Sequence, residues 1–587
     1  MSHRTTATMG RFLACLFSIN LLLSACTTGS QYSGAVNATA ATQSSGAVLR
    51  YDSVHHPVIA RRGMVVSQNE LATKVGQQIL ADGGNAVDAA VGVGFALAVT
   101  LPRAGNLGGS GFMLLHINGA DEPTALDFRS AAPAAAMLAD YQNEQGDIDW
   151  NALTYGPRAA GVPGTVAGLY HAWEKFGSMP WPVLLEPARL LAAEGIEVTQ
   201  DLEYALKEAL PVMEAFPASM AAYAKSNKTA YVAGEMLVQA DLAQSIAAIA
   251  AEGSAAFYEG EIAHKISDYM QNTGGNVSLA DLKNYRVKER TVLQTRYRNH
   301  RIATMPPSSV GGLALLQMLS VLQNFDLSQY PAGSAMSLHI IAETMKQVAA
   351  NRRFGIGDPD FVDVPVNGFL SEEMADVLAG RIDLSKARAT KKIDPENAQK
   401  YESRETTHYS VVDAEGNAVS TTYTLGYSFG SAAVVPGTGI LLDNQLRNFS
   451  HRTPEHANGM RAGKRMLSTM TPTLVFDENG ELLLVTGTPG GSRIHNVVLQ
   501  ILINTIDYGM NIAEASHRPR IHQQWRTPAL GVEPGIGSDT LKILQGMGHI
   551  IDLQQTMGST QSIMRRDGYL FGAADPRRPG ALALGND

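Results

Sequence analysis

Cysteine is almost absent from this 587-residue sequence, in which Cys15 and Cys26 are the only two. Cys15 lies in an N-terminal leader, so the mature chain has no pair of cysteines for a disulfide and must be stabilised by packing alone. Long basic runs are missing too, and the net charge is -9. Binding to nucleic-acid phosphates needs clustered Lys and Arg, so this composition argues against a nucleic-acid partner.

Signatures of a bound metal or phosphate are missing as well. The 15 histidines include His55 and His56 but no His-Glu-x-x-His spacing. The glycine-rich stretch "RAGNLGGSGFMLLHI" lacks the Gly-Lys-Ser/Thr of a phosphate loop, so its glycines are predicted to allow close backbone packing. We therefore expect no metal and no organic cofactor. What the chain does have, 45% hydrophobic residues and 56 glycines, is typical of a soluble enzyme that acts on a small or polar molecule.

The first residues read as an export signal. Arg4 and Arg11 precede the apolar run "FLACLFSINLLLSA", which suits a signal peptide and is short for a membrane span. The run ends in "LLSAC", which resembles the lipobox of bacterial lipoproteins and implies cleavage before Cys26 and acylation of its thiol. The alternative is an ordinary secreted protein. We predict a signal peptide over residues 1–25, a disordered tether over 26–50, and a periplasmic protein that contacts the membrane through its lipid only.

Hydrophobic patterning predicts a layered fold. Ser67 and Glu70 have the spacing of a capping box, and Gly83-Gly84 ends the helical pattern that follows. A second helix from about Asn85 is apolar nearly all round, which predicts burial between layers. The middle of the chain is mainly helical, and the last third changes to strands such as "HYSVVD" and "AVSTTYTL". Strands and buried helices in both halves predict one layered α/β body.

A charged segment, residues 387–405, separates the helical part from these strands. It has almost no large apolar residues and reads as a linker ending at Glu405. Thr406 and Thr407 follow directly. Threonine suits strands because it is β-branched, whereas a threonine that becomes a chain terminus carries a nucleophile and a base in one residue. The spacing alone does not choose between these interpretations.

Ten short motifs occur in one order from about residue 55 to the end of the chain. They are "GGNAVDAAVG", "AGNLGGSGFM", "LDFRSAAP", "GVPGTVAG", "MPPSSVGG", "ETTHYSVVDAEGNAVSTTYTL", "GILLDNQ", "LSTMTPTLV", "GTPGGSRI" and "DPRRPG". Together they resemble the γ-glutamyltransferase (γ-glutamyl transpeptidase) family. The resemblance implies an α/β fold of the N-terminal-nucleophile hydrolase type, a four-layer α/β/β/α sandwich.

The same resemblance implies self-processing and names the reacting groups. The precursor would cut itself between Glu405 and Thr406 into a large subunit, residues 51–405, and a small subunit, residues 406–587, that remain together as a heterodimer. Thr406 is then the nucleophile. Its own α-amine, with an ordinary pKa near 7.7, serves as base, so no histidine is required.

Three further positions match the family's catalytic residues. Thr424 matches the threonine that hydrogen-bonds the nucleophile's hydroxyl, although cross-strand packing alone would also use a threonine here. Gly490 and Gly491 match the pair whose backbone N–H groups form the oxyanion hole, and glycine lets the backbone approach a tetrahedral intermediate closely.

The resemblance also implies how a substrate is held. Arg129 matches the arginine that binds the substrate α-carboxylate, a task that suits a planar guanidinium. Ser468 and Thr469 match a Ser-Ser pair that binds the same carboxylate. Gln445 matches a glutamine near the substrate's α-amino group.

Two positions depart from the family pattern around the substrate's α-ammonium. The family usually has an asparagine where this sequence has Gly426, and an aspartate where it has Asn448. Loss of the aspartate removes a counter-charge, and a charge-assisted hydrogen bond is worth about 1.5 to 3 kcal/mol. Carboxylate binding is retained while ammonium binding weakens. A site with these two properties fits a glutaryl amide, which has the carboxylate but no α-amine. In this respect the sequence resembles the cephalosporin acylase branch of the family.

These residues support three functional hypotheses. The first is a γ-glutamyl transferase/hydrolase that cleaves γ-glutamyl amides such as glutathione and passes the acyl group to water or to an amine or amino-acid acceptor. The segment between Asn448 and Ser468 is shorter than in relatives with a lid loop, which predicts an open site where hydrolysis competes well. The second is an acylase that hydrolyses glutaryl-type (dicarboxylic monoacyl) amides. The third is an inactive binding lipoprotein, which the retained Thr406, Thr424 and glycine pair disfavour.

Overall fold

The computed structural model describes residues 53–351, 355–390, 406–525 and 527–587. The predicted signal peptide, the tether and Cys26 lie outside these residues, as does Glu405 on the N-terminal side of the predicted cut. Within the four ranges, no helix is both long enough and apolar enough to cross a membrane.

Helices and strands occur along the whole of the described chain. The helices are α1 Glu70–Ala81, α2 Ala86–Thr100, α3 Thr165–Phe176, α4 Trp181–Glu194, α5 Gln200–Met213, α6 Pro217–Tyr223, α7 Ala240–Glu252, α8 Ala255–Tyr258, α9 Glu261–Thr273, α10 Leu279–Asn284, α11 Val310–Leu322, α12 Ala335–Asn351, α13 Val366–Phe369, α14 Glu372–Ala379, α15 Ile494–Ile506, α16 Ile512–His517 and α17 Ser538–Gly546. The strands are β1 Val58–Ala60, β2 Gly63–Ser67, β3 Ser110–His116, β4 Thr124–Phe128, β5 Ile196–Glu197, β6 Met236–Leu237, β7 Lys288–Arg290, β8 Leu293–Tyr297, β9 His300–Thr304, β10 Thr407–Val412, β11 Ala418–Thr424, β12 Val434–Val435, β13 Ile440–Leu441, β14 Thr473–Phe476, β15 Leu482–Thr486, β16 Ile521–His522, β17 Ala529–Val532, β18 Ile550–Leu553, β19 Gln561–Arg566, β20 Tyr569–Ala574 and β21 Leu582–Asn586.

Two seven-stranded sheets form the centre of the fold. Sheet I has the strand order β21-β2-β10-β11-β3-β4-β7, and sheet II has the order β1-β20-β19-β15-β14-β9-β8. Neighbouring strands of sheet I run antiparallel, including the β10–β11 hairpin that follows the charged segment. The strands predicted from alternation around "HYSVVD" and "AVSTTYTL" are therefore confirmed as neighbours in the middle of one sheet.

Side chains alternate between apolar layers on the two faces of each sheet, as the period of a strand requires. On β2, Val65 belongs to an apolar cluster that includes residues of α1, α2, α3 and α4, while Met64 and Val66 lie between the sheets. On β14, Leu474 lies between the sheets, while Val475 packs against α11, α12 and α15. The order helix, sheet, sheet, helix confirms the predicted four-layer α/β/β/α sandwich.

The start of the first helix differs from the prediction. α1 begins at Glu70 with Asn69 as its N-cap, whose side chain accepts from two backbone N–H groups of the first turn at 2.9 and 3.3 Å. The predicted capping box of Ser67 with Glu70 is wrong, because Ser67 is the last residue of β2 and its hydroxyl contacts Thr73. The prediction for α2 is confirmed, since every residue of that helix is buried.

Each sheet contains strands that precede the charged segment and strands that follow it. In sheet I, β10 and β11 lie between β2 and β3. In sheet II, β14 pairs with β9. A cut within the segment would therefore leave two chains joined by continuous ladders of backbone hydrogen bonds.

A buried group of charges lies near the end of the chain, within the "DPRRPG" motif. Asp575 accepts from the Thr560 N–H at 2.9 Å and forms ion pairs with Arg520 and Arg577. Arg577 also pairs with Glu533 at 2.6 Å. Burial opposes ionisation of Asp575, but the two guanidinium groups hold its pKa below the ordinary value. The motif therefore joins the end of β20 to the segment before β16.

Replacing Asp575 with Asn should lower the free energy of unfolding by about 3 to 5 kcal/mol, because the buried Arg520 would lose its ion-pair partner and Arg577 would keep only Glu533. The midpoint of urea unfolding, followed by tryptophan fluorescence, measures the loss. Glu186→Gln is the matched control, because its 2.6 Å pair with Arg189 is largely exposed and should be worth under about 1 kcal/mol. Equal losses in the two variants would contradict this assignment.

Candidate active site

The β10–β11 hairpin brings two threonine hydroxyls together. Thr407 pairs with Tyr423 in the ladder, so Thr406 and Thr424 are the next opposed residues at its open end. The two hydroxyl oxygens are 3.3 Å apart, and each residue is 5% exposed. The Gly426 N–H donates to Thr424 Oγ1 at 2.9 Å. The two threonines singled out in the sequence are therefore in direct contact.

The two residues after Thr406, which begin β10, do not share its contact with Thr424. Thr407 lies on the opposite face of the strand, and its buried hydroxyl has no hydrogen-bond partner among the described residues. His408 shares the face of Thr406, but its ring nitrogens contact the hydroxyls of Thr422 and Ser410 at 2.8 and 3.2 Å. Burial lowers the pKa of His408 to about 3. A neutral imidazole with both nitrogens occupied is poorly placed to act as a base for Thr406.

Gly426 makes the turn that follows β11. Its φ is +101°, a region that L side chains rarely adopt, and a Cβ atom there would lie 2.2 Å from Asn444 Oδ1. That oxygen accepts from the Tyr427 N–H at 3.0 Å, and Asn444 Nδ2 donates to the Thr154 and Gly430 carbonyls. The Asn444 amide therefore fills the space next to Gly426 and supports the turn that orients Thr424.

Gln445 joins this turn to the start of β3. Its Nε2 group lies 2.7 Å from Ser110 Oγ, 3.0 Å from the Thr424 carbonyl and 3.1 Å from Asp443 Oδ2. The carbonyl and the carboxylate only accept, so they fix the orientation of the amide. Gln445 Oε1 is buried and has no hydrogen-bond partner within the described part of the chain. The site thus contains an oriented acceptor without a donor.

Arg129 follows β4 and is 1% exposed. Its Nη1 donates to Ser110 Oγ at 3.2 Å, and the described residues provide no partner for its Nε and no ion pair. Burial lowers the pKa of Arg129 to about 10, against the opposing effect of Asp443 and Asp127. The guanidinium therefore stays charged at neutral pH with donors to spare, which is an arrangement suited to binding a carboxylate.

Asp443 belongs to the same group and was not singled out from the sequence. It is fully buried, and its carboxylate accepts from the Ser130 hydroxyl, from the Gly161 N–H at 2.8 Å and from Gln445. Burial raises the pKa of Asp443 to about 6, while Ser130, Gly161 and Arg129 oppose the shift. A lone carboxylate inside the apolar stretch "GILLDNQ" is the signal that could have identified it.

The glycine pair lies at the end of sheet II that meets His408. The loop after β15 starts at Gly487, where a Cβ atom would be 2.4 Å from the His408 ring. Gly490 and Gly491 have φ values of +134° and +57° and stand just before α15. Neither N–H donates to an acceptor among the described residues. Two unpaired N–H groups at the N-terminus of a helix favour a negative charge, as an oxyanion hole requires.

The remaining predicted residues lie in two further places. Thr469 donates its hydroxyl to the Gly491 carbonyl at 2.7 Å, which ties it to the glycine pair. Ser468 is half-buried, and its hydroxyl accepts from the Met470 N–H. Asn448 is half-buried one turn after Gln445, and within the described residues its backbone carbonyl accepts from the Asn458 side chain at 2.7 Å. No hydrogen bond joins these three residues to Arg129 within the described ranges.

One group of side chains in the described residues has the composition of a metal site. His339, Glu343 and His549 are buried, and one ligand atom of each lies within 4.8 Å of the others. His339 Nδ1 is 2.8 Å from His549 Nε2, and Glu343 pairs with Lys346. Because the lysine already balances the carboxylate and the imidazoles bond each other, these residues do not fit a divalent cation well.

A buried threonine directly before an inner strand of an α/β/β/α sandwich, together with two glycine N–H groups that have no acceptor among the described residues, is the arrangement of an N-terminal-nucleophile hydrolase. The family model for gamma-glutamyltranspeptidase matches residues 72–585. The chain belongs to the gamma-glutamyltranspeptidase family, as the sequence motifs predicted.

Individual relatives agree with this membership. The chain is 45% identical over 548 residues to the glutathione hydrolase proenzyme of Escherichia coli (strain K12), covering 91% of this chain and 93% of that protein. It is 35% identical over 534 residues to the acylase ACY 1 proenzyme of Pseudomonas sp. (strain SE83), covering 89% and 94%. Among solved structures, the cephalosporin acylase from Bacillus halodurans matches with a TM-score of 0.82 and 27% identity, over 93% of this chain and 99% of that one.

Replacing Gly426 with Ala should reduce both stability and kcat/KM, because the new Cβ must displace the Asn444 amide that supports the Thr424 turn. Gly119→Ala is the control for backbone strain alone, since Gly119 has a φ of +84° with nothing within 4 Å of its Cβ position. The control should cost about 1 to 2 kcal/mol in the free energy of unfolding and leave kcat/KM unchanged. A Gly426 variant that behaves like the control would contradict the role given to Asn444.

Proposed function

We propose that this protein is a γ-glutamyl transferase/hydrolase that cleaves γ-glutamyl amides, with glutathione as a representative substrate. The observation that carries the proposal is the pair of buried groups left without a partner among the described residues, the donor Arg129 Nε and the acceptor Gln445 Oε1. A substrate with an α-carboxylate and an α-ammonium would satisfy both groups. The relatives named as glutathione hydrolase proenzymes support the same substrate class.

The chemistry follows from the Thr406 hydroxyl. Its oxygen attacks the γ-carbonyl of the substrate, the proton passes to the α-amine of Thr406, and the N–H groups of Gly490 and Gly491 stabilise the oxyanion. The amide C–N bond then breaks, and the leaving amine takes the proton. Water, or an amine or amino-acid acceptor, releases the acyl group from the Thr406 ester. Thr424 positions the hydroxyl through their 3.3 Å contact.

The substrate's α-amino acid end lies between two sets of groups. Arg129, with Ser468 and Thr469, binds the α-carboxylate. Gln445 Oε1 accepts from the α-ammonium, and Asn448, one turn further along, lies on the same side of the short helical turn.

The active form is a processed heterodimer. Cleavage between Glu405 and Thr406 separates a large subunit, residues 51–405, from a small subunit, residues 406–587, and frees the α-amine that serves as base. The interleaved strands of both sheets keep the two chains together. The leader supports export to the periplasm, with a signal peptide over 1–25 and a lipid on Cys26 at the start of the tether 26–50.

The purified protein should give two fragments on a denaturing gel, and mass spectrometry should find Thr-Thr-His-Tyr at one new N-terminus and an acylated Cys26 at the other. Thr406→Ala should remain a single chain because the attacking hydroxyl is gone. Thr407→Ala is the matched control and should still be cut. A single uncut chain in the wild-type protein would support an inactive binding lipoprotein instead, and an unmodified N-terminus would refute lipidation.

A second candidate function is the hydrolysis of glutaryl-type amides. Gly426 and Asn448 favour it, because the asparagine and the aspartate that the family usually has around the α-ammonium are missing. The named acylase relatives are consistent with it.

The two functions separate in one assay of kcat/KM with a γ-glutamyl anilide and the matching glutaryl anilide. The proposed function predicts the higher value for the γ-glutamyl compound, since only that compound pairs with Gln445 Oε1. A higher value for the glutaryl compound would favour the acylase. Thr406→Ala should abolish both activities, which controls for contaminating amidases.

A further inference from the structure

The described residues place a buried carboxylate directly behind the group that faces the substrate's ammonium. Asp443 is 0% exposed and follows β13. One carboxylate oxygen, Oδ1, accepts from the Gly161 N–H at 2.8 Å. The other, Oδ2, accepts from the Ser130 hydroxyl and from Gln445 Nε2 at 3.1 Å. Every donor that contacts it is neutral.

Arg129 and Asp443 are opposite charges held apart by neutral groups. Arg129 Nη1 contacts Ser110 Oγ, Ser110 Oγ contacts Gln445 Nε2, and Gln445 Nε2 contacts Asp443. Neither charge forms a direct ion pair with a described residue. Each of these buried charges therefore lacks a direct counter-charge, and a substrate with one anionic and one cationic group would supply both, because a buried charge is stabilised by a nearby opposite charge.

Asp443 also fixes the orientation of the Gln445 amide. With Nε2 held by the carboxylate and by the Thr424 carbonyl, the amide directs Oε1 away from both, where it has no partner in the described structure. An amide carbonyl polarised from behind by an anion is a stronger acceptor for a cationic donor. The resulting position suits an ammonium group.

We propose that Asp443 is a positioning residue that supplies the counter-charge for the substrate's α-ammonium through Gln445, and so selects γ-glutamyl over glutaryl amides. The inference rests on the proposed function. A γ-glutamyl substrate places its carboxylate against Arg129 and its ammonium against Gln445, so that each buried charge has a partner. A glutaryl substrate lacks the ammonium, and Asp443 then remains as an uncompensated anion near the substrate carboxylate.

The proposal also accounts for Asn448. The family's usual aspartate at this position would place a negative charge on the same side of the turn as Gln445. Here the negative charge lies at Asp443 instead, in contact with Gln445 Nε2. The counter-charge is moved rather than lost, which reconciles Asn448 with a γ-glutamyl substrate.

Asp443→Asn tests the proposal while keeping the shape of the side chain. The ratio of kcat/KM for the γ-glutamyl anilide to that for the glutaryl anilide should fall by about tenfold to a hundredfold, the range of one charge-assisted hydrogen bond. Adding Asn448→Asp to this variant should restore most of the ratio, whereas a merely structural defect would not be rescued by a charge elsewhere. Asp413→Asn is the matched control, since Asp413 is also a buried carboxylate that accepts from a backbone N–H, and its ratio should stay unchanged.

Each outcome separates the inference from the proposed function. A wild-type protein that cleaves neither anilide would refute the proposed function and the inference with it. A wild-type protein that cleaves the γ-glutamyl anilide but keeps its ratio in Asp443→Asn would refute the role of Asp443 alone. If the variant is not processed on a gel, inhibition of the wild-type enzyme decides: L-glutamate should inhibit at least about tenfold better than glutarate, and the reverse order would overturn the proposal.

Discussion

The contact between Thr406 and Thr424 depends on the pairing of β10 with β11 in the middle of sheet I. Because β2 and β3 hold this hairpin on both sides, the open end of the ladder has little freedom to move, and the two hydroxyls are held by backbone hydrogen bonds rather than by a flexible loop. In the proposed mechanism, Thr406 first cuts its own chain and then turns over substrates, and this rigidity suits both reactions because they use the same oxygen in the same geometry.

The polar groups around that oxygen are arranged in two separate sets. One set, Gly490 and Gly491, lies at the N-terminus of α15 and acts on the reacting carbonyl in the proposed mechanism. The other set, with Arg129, Gln445 and Asp443, lies at the ends of β4, β3 and β13 and is proposed to bind the far end of the substrate. Substrate preference can therefore change through the second set while the chemistry stays the same, which explains how one family can contain proteins named as glutathione hydrolases and as acylases.

The layers of the fold could be predicted from the sequence because strand alternation and the all-apolar α2 each have a distinct period. The error at Ser67 has a local cause: serine and asparagine both cap helices, and only the extended backbone of β2 shows that the cap is Asn69. For the site, the motifs predicted Thr406, Thr424, Arg129 and Gln445 as one group. The contacts of Asp443 and the space filled by Asn444 could not be predicted, because they depend on which side chains meet across β3, β11 and β13.

The pairing of β21 with β2 brings the two ends of the folded body close together. Gly63 lies opposite Asn586 in the ladder at the edge of sheet I, while Thr406 directly precedes β10, an inner strand of the same sheet. Connecting the chain across β21 and β2 and opening it before Thr406 would give a circular permutant whose first residue is the nucleophile. In such a protein the terminal threonine would not depend on a self-cleavage step. Catalysis by this fold could then be studied without maturation.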